Sequence, residues 1–183
     1  MVTVVVEDGT GLSTANSYSS EANATTYLTD YAHTVSGGGD VWDAATSGAK
    51  GIALVSATEW IDKTFGGRFK GISKSSRVSS TGQALEWPRQ DVQSYSGDYV
   101  DANTIPTDVA RACAYAAFAH LGETSGLMPD IATPGTITLE RDKVGELETE
   151  VRYQGGKGQI KKFTKVERLL SEFLLSRGRL ARS

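Results

Sequence analysis

Apolar side chains recur at intervals of three and four residues in three stretches of the chain. This spacing predicts helices at about residues 20–32, 47–65 and 106–121. Ser20 precedes the first stretch as a candidate N-cap. The third stretch is rich in alanine, which favours a slim helix that others can approach closely. We therefore expect the third helix to lie at the centre of a small helical bundle.

Alternating apolar and polar positions predict extended structure elsewhere. Val2, Val4 and Val6 favour a short N-terminal extended segment, and the alternation over about residues 136–153 predicts a β-hairpin. The fold class expected is therefore mainly α, a small helical bundle with a β-hairpin, the extended segment and a C-terminal helix.

The C-terminal region opens with the glycine-rich residues 155–158, which indicate a hinge. Thr164 and Glu167 then have the spacing of a capping box. The helix that follows has an apolar stripe, which either folds back on its own body or docks on a partner; the hinge favours docking. We expect a body at residues 1–154 and a basic linker with a docking helix at 155–183. The stripe comprises Val166, Leu169, Leu170, Phe173 and Leu174.

Charge is distributed unevenly along the 183 residues, whose net charge is −3. Residues 1–156 hold 11 basic and 20 acidic side chains, a balance of −9, whereas residues 157–183 hold 8 and 2, a balance of +6. Opposite fields on one chain suit a protein that lies between two different surfaces. This polarity is more typical of a connecting subunit than of an enzyme.

The composition of the chain indicates the cellular compartment in which it is made. No run approaches about 18 consecutive apolar residues, so no membrane span is expected. The N-terminus lacks the pattern of a signal peptide, and a single cysteine fits a reducing compartment. We expect synthesis in a cytoplasm.

Catalytic and metal-binding patterns are weak. Cys113 and His120 are seven residues apart on one predicted helix, so a Cys/His pair is conceivable, but a buried thiol beside a structural histidine is favoured. The two histidines and one cysteine give no recognised zinc spacing, and no phosphate-binding glycine motif occurs. We expect no catalytic residue, no metal, no cofactor and no enzymatic activity.

A basic loop is predicted between Gly66 and Gly82, with no acidic residue in it. An aromatic residue between two cations is typical of a site where a base stacks beside phosphate-binding groups. The isoelectric point of about 5.4 argues against a dedicated single-stranded DNA binder. The candidates for a loop that faces a DNA channel or a partner are Arg68, Phe69, Lys70, Lys74 and Arg77. Trp60 and Trp87 are expected in the core, with Trp42 less firmly assigned.

Five separated segments recur in one order in a family of phage proteins. In this order they resemble the head–tail connector (adaptor, head-completion) proteins of tailed bacteriophages, often described as DnaT-like single-stranded DNA-binding proteins. The resemblance covers about residues 5–153. The segments are Val6–Tyr18, Ser56–Asp62, Gln83–Arg89, Ile105–Ala112 and Lys143–Tyr153.

The resemblance implies a compact helical subunit in a ring, expected to be twelvefold, beneath the portal of a filled capsid. Its partners would be the portal protein, neighbouring copies of itself, a downstream tail or neck protein, and DNA that passes non-specifically. It would be located in the virion neck, and in the host cytoplasm during assembly. The alternative is a replication-associated single-stranded DNA-binding protein. The portal-docking candidates are Lys161, Lys162, Lys165, Arg168, Leu169, Leu170, Phe173 and Leu174.

Overall fold

The structure, a computed structural model, describes residues 2–31, 40–75, 82–123, 126–127, 136–143, 148–154 and 162–175. The chain divides into two compact units. Met1–Leu127 and Phe163–Ser183 form one, the helical unit, and Met128–Lys162 form the other, the hairpin unit. This grouping differs from the expected boundary at residue 154, because the C-terminal helix belongs with the first part of the chain.

Four α-helices lie in the described part of the helical unit, which agrees with the mainly α prediction. They are α1 (Glu21–Asp30), α2 (Ser47–Phe65), α3 (Thr107–Gly122) and α4 (Thr164–Leu170). Ser20 caps α1 as predicted, since its side chain accepts from the Asn23 N–H, and Thr46 caps α2 in the same way. Short 3₁₀ turns, Gly66–Arg68 and Ser171–Phe173, follow α2 and α4.

The predicted capping box at the start of α4 is not formed. Phe163 is the N-cap residue and no side chain caps this helix, so Thr164 is already helical. The Phe163 ring packs edge-on against Trp60, with centroids 5.3 Å apart. This contact accompanies a helix start one residue earlier than the polar spacing predicts.

The N-terminal segment is extended, but it pairs through a single bridge instead of a strand. Val6 and Ser17 form a parallel bridge, and the Glu7 N–H donates to the Ser17 carbonyl at 2.9 Å. Asn16 supports the segment from the side, since its Oδ1 accepts from the Val5 N–H at 2.8 Å. The Asn16 side chain thus supplies a hydrogen bond to the backbone that a neighbouring strand would otherwise provide.

Two antiparallel strand pairs are present in the described residues. In the helical unit β1 (Ile72–Ser73) pairs with β2 (Arg89–Gln90), a contact that the sequence pattern did not predict. The hairpin unit contains the predicted hairpin, in which β3 (Thr136–Lys143) pairs with β4 (Glu148–Gln154). Its register runs from Thr136 opposite Gln154 to Lys143 opposite Glu148, with one irregularity between Ile137 and Leu139.

Helix α3 packs against each of the other three helices. Its buried positions are small, because Ala112, Cys113, Ala116 and Ala117 have no exposed area. Small side chains let neighbouring helices approach closely, and larger residues on those helices fill the core. The central position expected for the alanine-rich helix agrees with this packing. Trp42, Trp60 and Trp87 are all buried.

The apolar stripe of α4 and its 3₁₀ turn lies in the core of the helical unit. Val166, Leu170, Phe173 and Leu174 are buried, and the Phe173 ring packs edge-on against Trp87 at 5.5 Å. The backbone is fastened as well, since the Lys70 N–H donates to the Phe173 carbonyl at 2.8 Å. Folding back, the alternative disfavoured by the sequence reasoning, is therefore the arrangement in the structure.

No described helix is long and apolar enough to cross a membrane.

We expect Leu170→Ala to destabilise the protein by about 2–5 kcal/mol, because it removes a fully buried side chain and leaves a cavity. Leu175→Ala, at a neighbouring side chain that is 55% exposed, is the matched control and should change the free energy of unfolding by less than about 0.5 kcal/mol. Urea unfolding of the two full-length variants measures both. Equal stabilities would show that α4 does not pack on the helical unit.

Candidate functional site

The predicted stacking residue of the basic loop is a core residue. Phe69 is 3% exposed and packs edge-on against Trp87, with ring centroids 5.7 Å apart. Its ring cannot meet a base without opening the core, so the stacking prediction is wrong. The sequence pattern misled because an aromatic residue between cations looks the same whether the ring faces solvent or the interior.

The neighbouring cations are engaged within the protein. The Lys70 ammonium donates to the Gln93 carbonyl at 2.9 Å, and Lys74 donates to the Gly9 carbonyl and to Asn103 Oδ1. Arg68 is partly buried, with its guanidinium over the Phe65 ring at 5.8 Å. These contacts hold the loop to the helical unit. Arg77 lies outside the described residues.

The imagined Cys/His pair does not form. The Cys113 thiol is fully buried and contacts Thr58 Oγ1 at 3.2 Å and the Leu54 carbonyl at 3.7 Å. Burial raises the pKa of this thiol, and the Thr58 hydroxyl opposes that rise. A buried thiol with a raised pKa is a poor nucleophile. His33 lies outside the described residues.

Glu7, in the first of the five recurring segments, has a buried carboxylate that organises a turn. Its Oε1 accepts from the N–H groups of Gly9 and Gly11, and its Oε2 accepts from Leu12 at 2.8 Å. Gly9 has a φ of +98°, and a Cβ there would lie 2.0 Å from the Asn103 carbonyl oxygen. The glycine is required by a close approach of two loops, and the carboxylate is required by the turn.

The third segment, Gln83–Arg89, is likewise fixed by its own polar side chains. Gln83 is 1% exposed; its amide donates to the carbonyls of Leu85 and Pro88, and its Oε1 accepts from Ser75. Arg89 is buried in an ion pair with Glu86 at 2.7 Å and donates to the carbonyls of Lys70 and Gly71. Buried polar groups need such partners, since an unpaired one costs about 1–3 kcal/mol.

Three of the recurring segments meet at one carboxylate. Asp62, which ends the second segment, accepts from the Tyr18 hydroxyl with Oδ1 and from the Glu86 N–H with Oδ2. The Tyr18 oxygen in turn accepts from the Trp87 N–H at 3.2 Å. Burial, reinforced by the Asp62 carboxylate, raises the pKa of the Tyr18 phenol well above its usual range. These residues hold the fold together, which sequence reasoning did not foresee.

The proposed docking residues of the C-terminal region separate into two sets. Leu170, Phe173 and Leu174 face the core and are not available to a partner. Lys162 and Arg168 are exposed, and Lys165 and Leu169 are partly exposed. Lys161 lies outside the described residues. The structure thus leaves Lys165, Arg168 and Leu169 on the outer face of α4 and buries the other three apolar residues of the predicted docking surface.

A surface cleft lies between that outer face and the start of α3. It has a volume of about 600 Å³ and is lined by Asp108, Thr164, Lys165, Arg168 and Leu169. We call it the α3–α4 cleft. Sequence reasoning missed it because its two walls are more than fifty residues apart in the chain.

Cations and aromatic rings alternate beside the α3–α4 cleft. The Arg111 guanidinium lies 4.9 Å from the Tyr31 ring centroid and pairs with Asp108 at 3.2 Å, while the Lys165 ammonium lies 5.0 Å from the Tyr115 ring. Burial lowers the pKa of Lys165. Contacts of this kind hold the cations in place. The signal available in the sequence was the spacing of Asp108, Arg111 and Tyr115 along one helical face.

No group of three or more His, Cys, Asp or Glu side chains suited to a metal ion occurs in the part of the chain that the structure describes.

Comparison with protein families identifies one match. Residues 2–182 match the family described as "Putative DnaT-like ssDNA binding protein". Because the match spans almost the whole chain, the protein belongs to this family. No curated protein and no solved structure matches the chain.

We expect Glu7→Gln to lower the free energy of unfolding by about 3 kcal/mol, because one carboxylate oxygen is replaced by an N–H₂ group that faces backbone donors. Glu59→Gln, at an exposed position of α2, is the control and should be nearly neutral. Denaturant unfolding of both variants tests this. A Glu7→Gln protein as stable as the control would contradict the structural role of the carboxylate.

Proposed function

We propose that this member of the DnaT-like family is a structural head-to-tail connector subunit of a tailed bacteriophage. In this role it forms a ring under the portal, extends the DNA channel and offers a platform to the tail. The proposal rests on one observation, the structural role of the polar residues in the recurring segments. Their polar groups, including Glu7, Tyr18, Asp62 and Arg89, are consumed in holding loops and helices together.

Recurring residues that stabilise the fold support a role in which the protein acts through contacts of its surfaces. Recurring residues that build an enzyme site present reactive groups to a cleft, as a nucleophile or an acid–base pair must reach its substrate. Here four polar residues of the recurring segments, Glu7, Tyr18, Gln83 and Arg89, are buried, and the Cys113 thiol is buried with a raised pKa. The function that remains for such a chain is contact with other macromolecules.

The free energy needed to release α4 from the core limits how this helix can dock on a partner. Releasing Val166, Leu170, Phe173 and Leu174 into water would cost about 1.5–3 kcal/mol each. The total is comparable to the whole stability of a typical domain, about 5–15 kcal/mol. Docking by release of the helix is therefore expensive. We assign docking to the outer face of α4, where Lys165, Arg168 and Leu169 meet an acidic surface of the assembly.

The charge polarity of the chain supports the same role. The excess of negative charge before residue 157 and of positive charge after it gives one subunit two kinds of surface. Complementary charge between neighbours orients them and fixes their register, which an assembly of repeated subunits requires.

Single-stranded DNA binding is the second candidate, favoured by the description of the family. The structure offers it little support, because Phe69 is buried and Lys70 and Lys74 donate to groups of the protein itself. Dedicated binders depend on accessible cations and aromatic faces. The net charge of −3 also opposes a polyanion.

The connector proposal predicts the phenotype of particles assembled without this chain. Filled heads should lose their packaged DNA and remain tailless, because the exit is unsealed and the tail platform is missing. Electron microscopy and DNA quantification of such particles measure both properties. Particles that keep their genome and acquire tails at the normal frequency would overturn the proposal.

A fluorescence titration with a thymidine oligonucleotide separates the two candidates. For a connector we expect affinity weaker than about micromolar near physiological salt, with duplex DNA of equal charge bound no worse. Sub-micromolar affinity for the single strand alone, falling steeply with salt, would favour the DNA-binding protein.

A further inference from the structure

An ordered loop projects from the helical unit between β2 and α3. Its base is fixed by Val92, which is fully buried and accepts from the Val100 N–H at 2.9 Å. Gln93 and Tyr99 form an antiparallel bridge, and the turn between them is closed by the Ser94 N–H, which donates to the Asp98 carbonyl at 2.8 Å. We call residues 93–99 the tyrosine loop. Its shape is set before any partner arrives.

The tyrosine loop exposes two aromatic side chains, although the Lys70 ammonium lies over the Tyr95 ring at 5.1 Å from its centroid. Tyr95 and Tyr99 are each 72% exposed, the highest values among the exposed large hydrophobic side chains of the described residues. Tyr95 is held in position, because its hydroxyl donates to the Ser171 carbonyl at 2.9 Å. A positioned, exposed tyrosine adds contact area at low entropic cost, which is why this residue is enriched in protein interfaces.

The tyrosine loop and the residues beside it are acidic, since Asp98 lies in the loop and Asp91 and Asp101 flank it. Asp91, Asp98 and Asp101 are exposed, and the sequence holds no lysine or arginine between Arg89 and Arg111. An isolated acidic stretch is commonly a solvated surface. Here it accompanies two exposed rings on a fixed backbone, and the same chain carries a surface of opposite charge.

That surface is the α3–α4 cleft. Its cations are Lys165 and Arg168, and Leu169 supplies an apolar wall. Among its described lining residues the one carboxylate is Asp108, which is paired with Arg111. A volume of about 600 Å³ accommodates an aromatic side chain together with a carboxylate.

We propose that the tyrosine loop of one copy docks in the α3–α4 cleft of a second copy. This inference rests on the proposed function and names the contact between neighbouring subunits. Asp98 faces the cations Lys165 and Arg168, and Tyr99 lies against Leu169. A single-stranded nucleic acid fits the cleft less well, because the Tyr115 and Tyr31 rings are already covered by Lys165 and Arg111.

The two halves of this contact are different surfaces of one chain. Each copy therefore gives its loop to one neighbour and receives a loop from another. Such a heterologous contact repeats from copy to copy and closes into a ring when the rotation between copies allows it. The contact thus supplies the kind of lateral interface that the proposed function requires.

Charge reversal tests the contact on the full-length chain. Asp98→Lys places a cation opposite the cations of the cleft, and Arg168→Glu places a carboxylate opposite the loop. Each single variant should weaken self-association about tenfold or more, because like charges then face each other. Mixing the two variants, or combining both changes in one chain, should restore it. Sedimentation velocity at increasing concentration, into the millimolar range, measures the association.

Matched controls carry the same change in net charge at distant exposed positions of α2. Glu59→Lys pairs with Asp98→Lys, and Lys63→Glu pairs with Arg168→Glu. Both controls should associate as the unchanged chain does. A disulfide between Tyr99→Cys and Leu169→Cys in mixed samples provides a second readout, with the buried Cys113 as the internal standard for thiol access.

The outcomes separate this contact from the proposed function. Self-association that survives every variant would overturn the contact and leave the connector role intact. An unchanged chain that stays monomeric and forms no disulfide at millimolar concentration would also overturn the contact. If the unchanged chain instead binds a thymidine oligonucleotide with sub-micromolar affinity and Arg168→Glu lowers that affinity by tenfold or more, both the contact and the connector role fail.

Discussion

The carboxylate of Asp62 is the point on which the helical unit depends. It lies at the end of the apolar face of α2, and it binds the Tyr18 hydroxyl on one side and the Glu86 backbone on the other. Through Tyr18 and the Trp87 N–H, the N-terminal segment and the segment before β2 are fixed to the same helix. Asp62 is half-buried, whereas the Tyr18 side chain that it binds is buried and needs a hydrogen-bond partner, so the bonds at Asp62 help to hold these three parts of the chain together.

This constraint explains why polar residues of the recurring segments are bonded within the helical unit. Glu7 holds a turn, Gln83 holds the chain that leads to Trp87, and Arg89 holds β1 through backbone carbonyls. Each satisfies buried backbone groups that no helix or long strand reaches. These side chains of the recurring segments therefore help to build the architecture.

Helix positions were predictable because they depend on local spacing. The stripes around Leu54 and Ala112 gave α2 and α3, and Ser20 marked the start of α1. The side that α4 faces was not predictable. Its stripe fits a partner as well as its own body, and what decided between them was the aromatic pocket of Trp60 and Trp87, formed by residues far away in sequence.

The candidate surfaces were predictable only in part for the same reason. The basic character of α4 was visible in the sequence, whereas the α3–α4 cleft needs two helices brought together, and the burial of Phe69 needs the wall formed by Trp87. Charge is a property of composition, but exposure is a property of the fold. The positions of cationic and aromatic residues in the sequence therefore identify basic segments better than they identify binding sites.

The account holds that this protein acts as a stoichiometric part of a particle and not as a catalyst or a free DNA-binding protein. Quantitative mass spectrometry of purified tailed particles, with the portal protein as the internal reference, tests this most directly. The account predicts that the chain is present in a fixed ratio to the portal protein, near one to one for rings of equal copy number. Its absence from mature particles that contain portal protein would contradict the central claim.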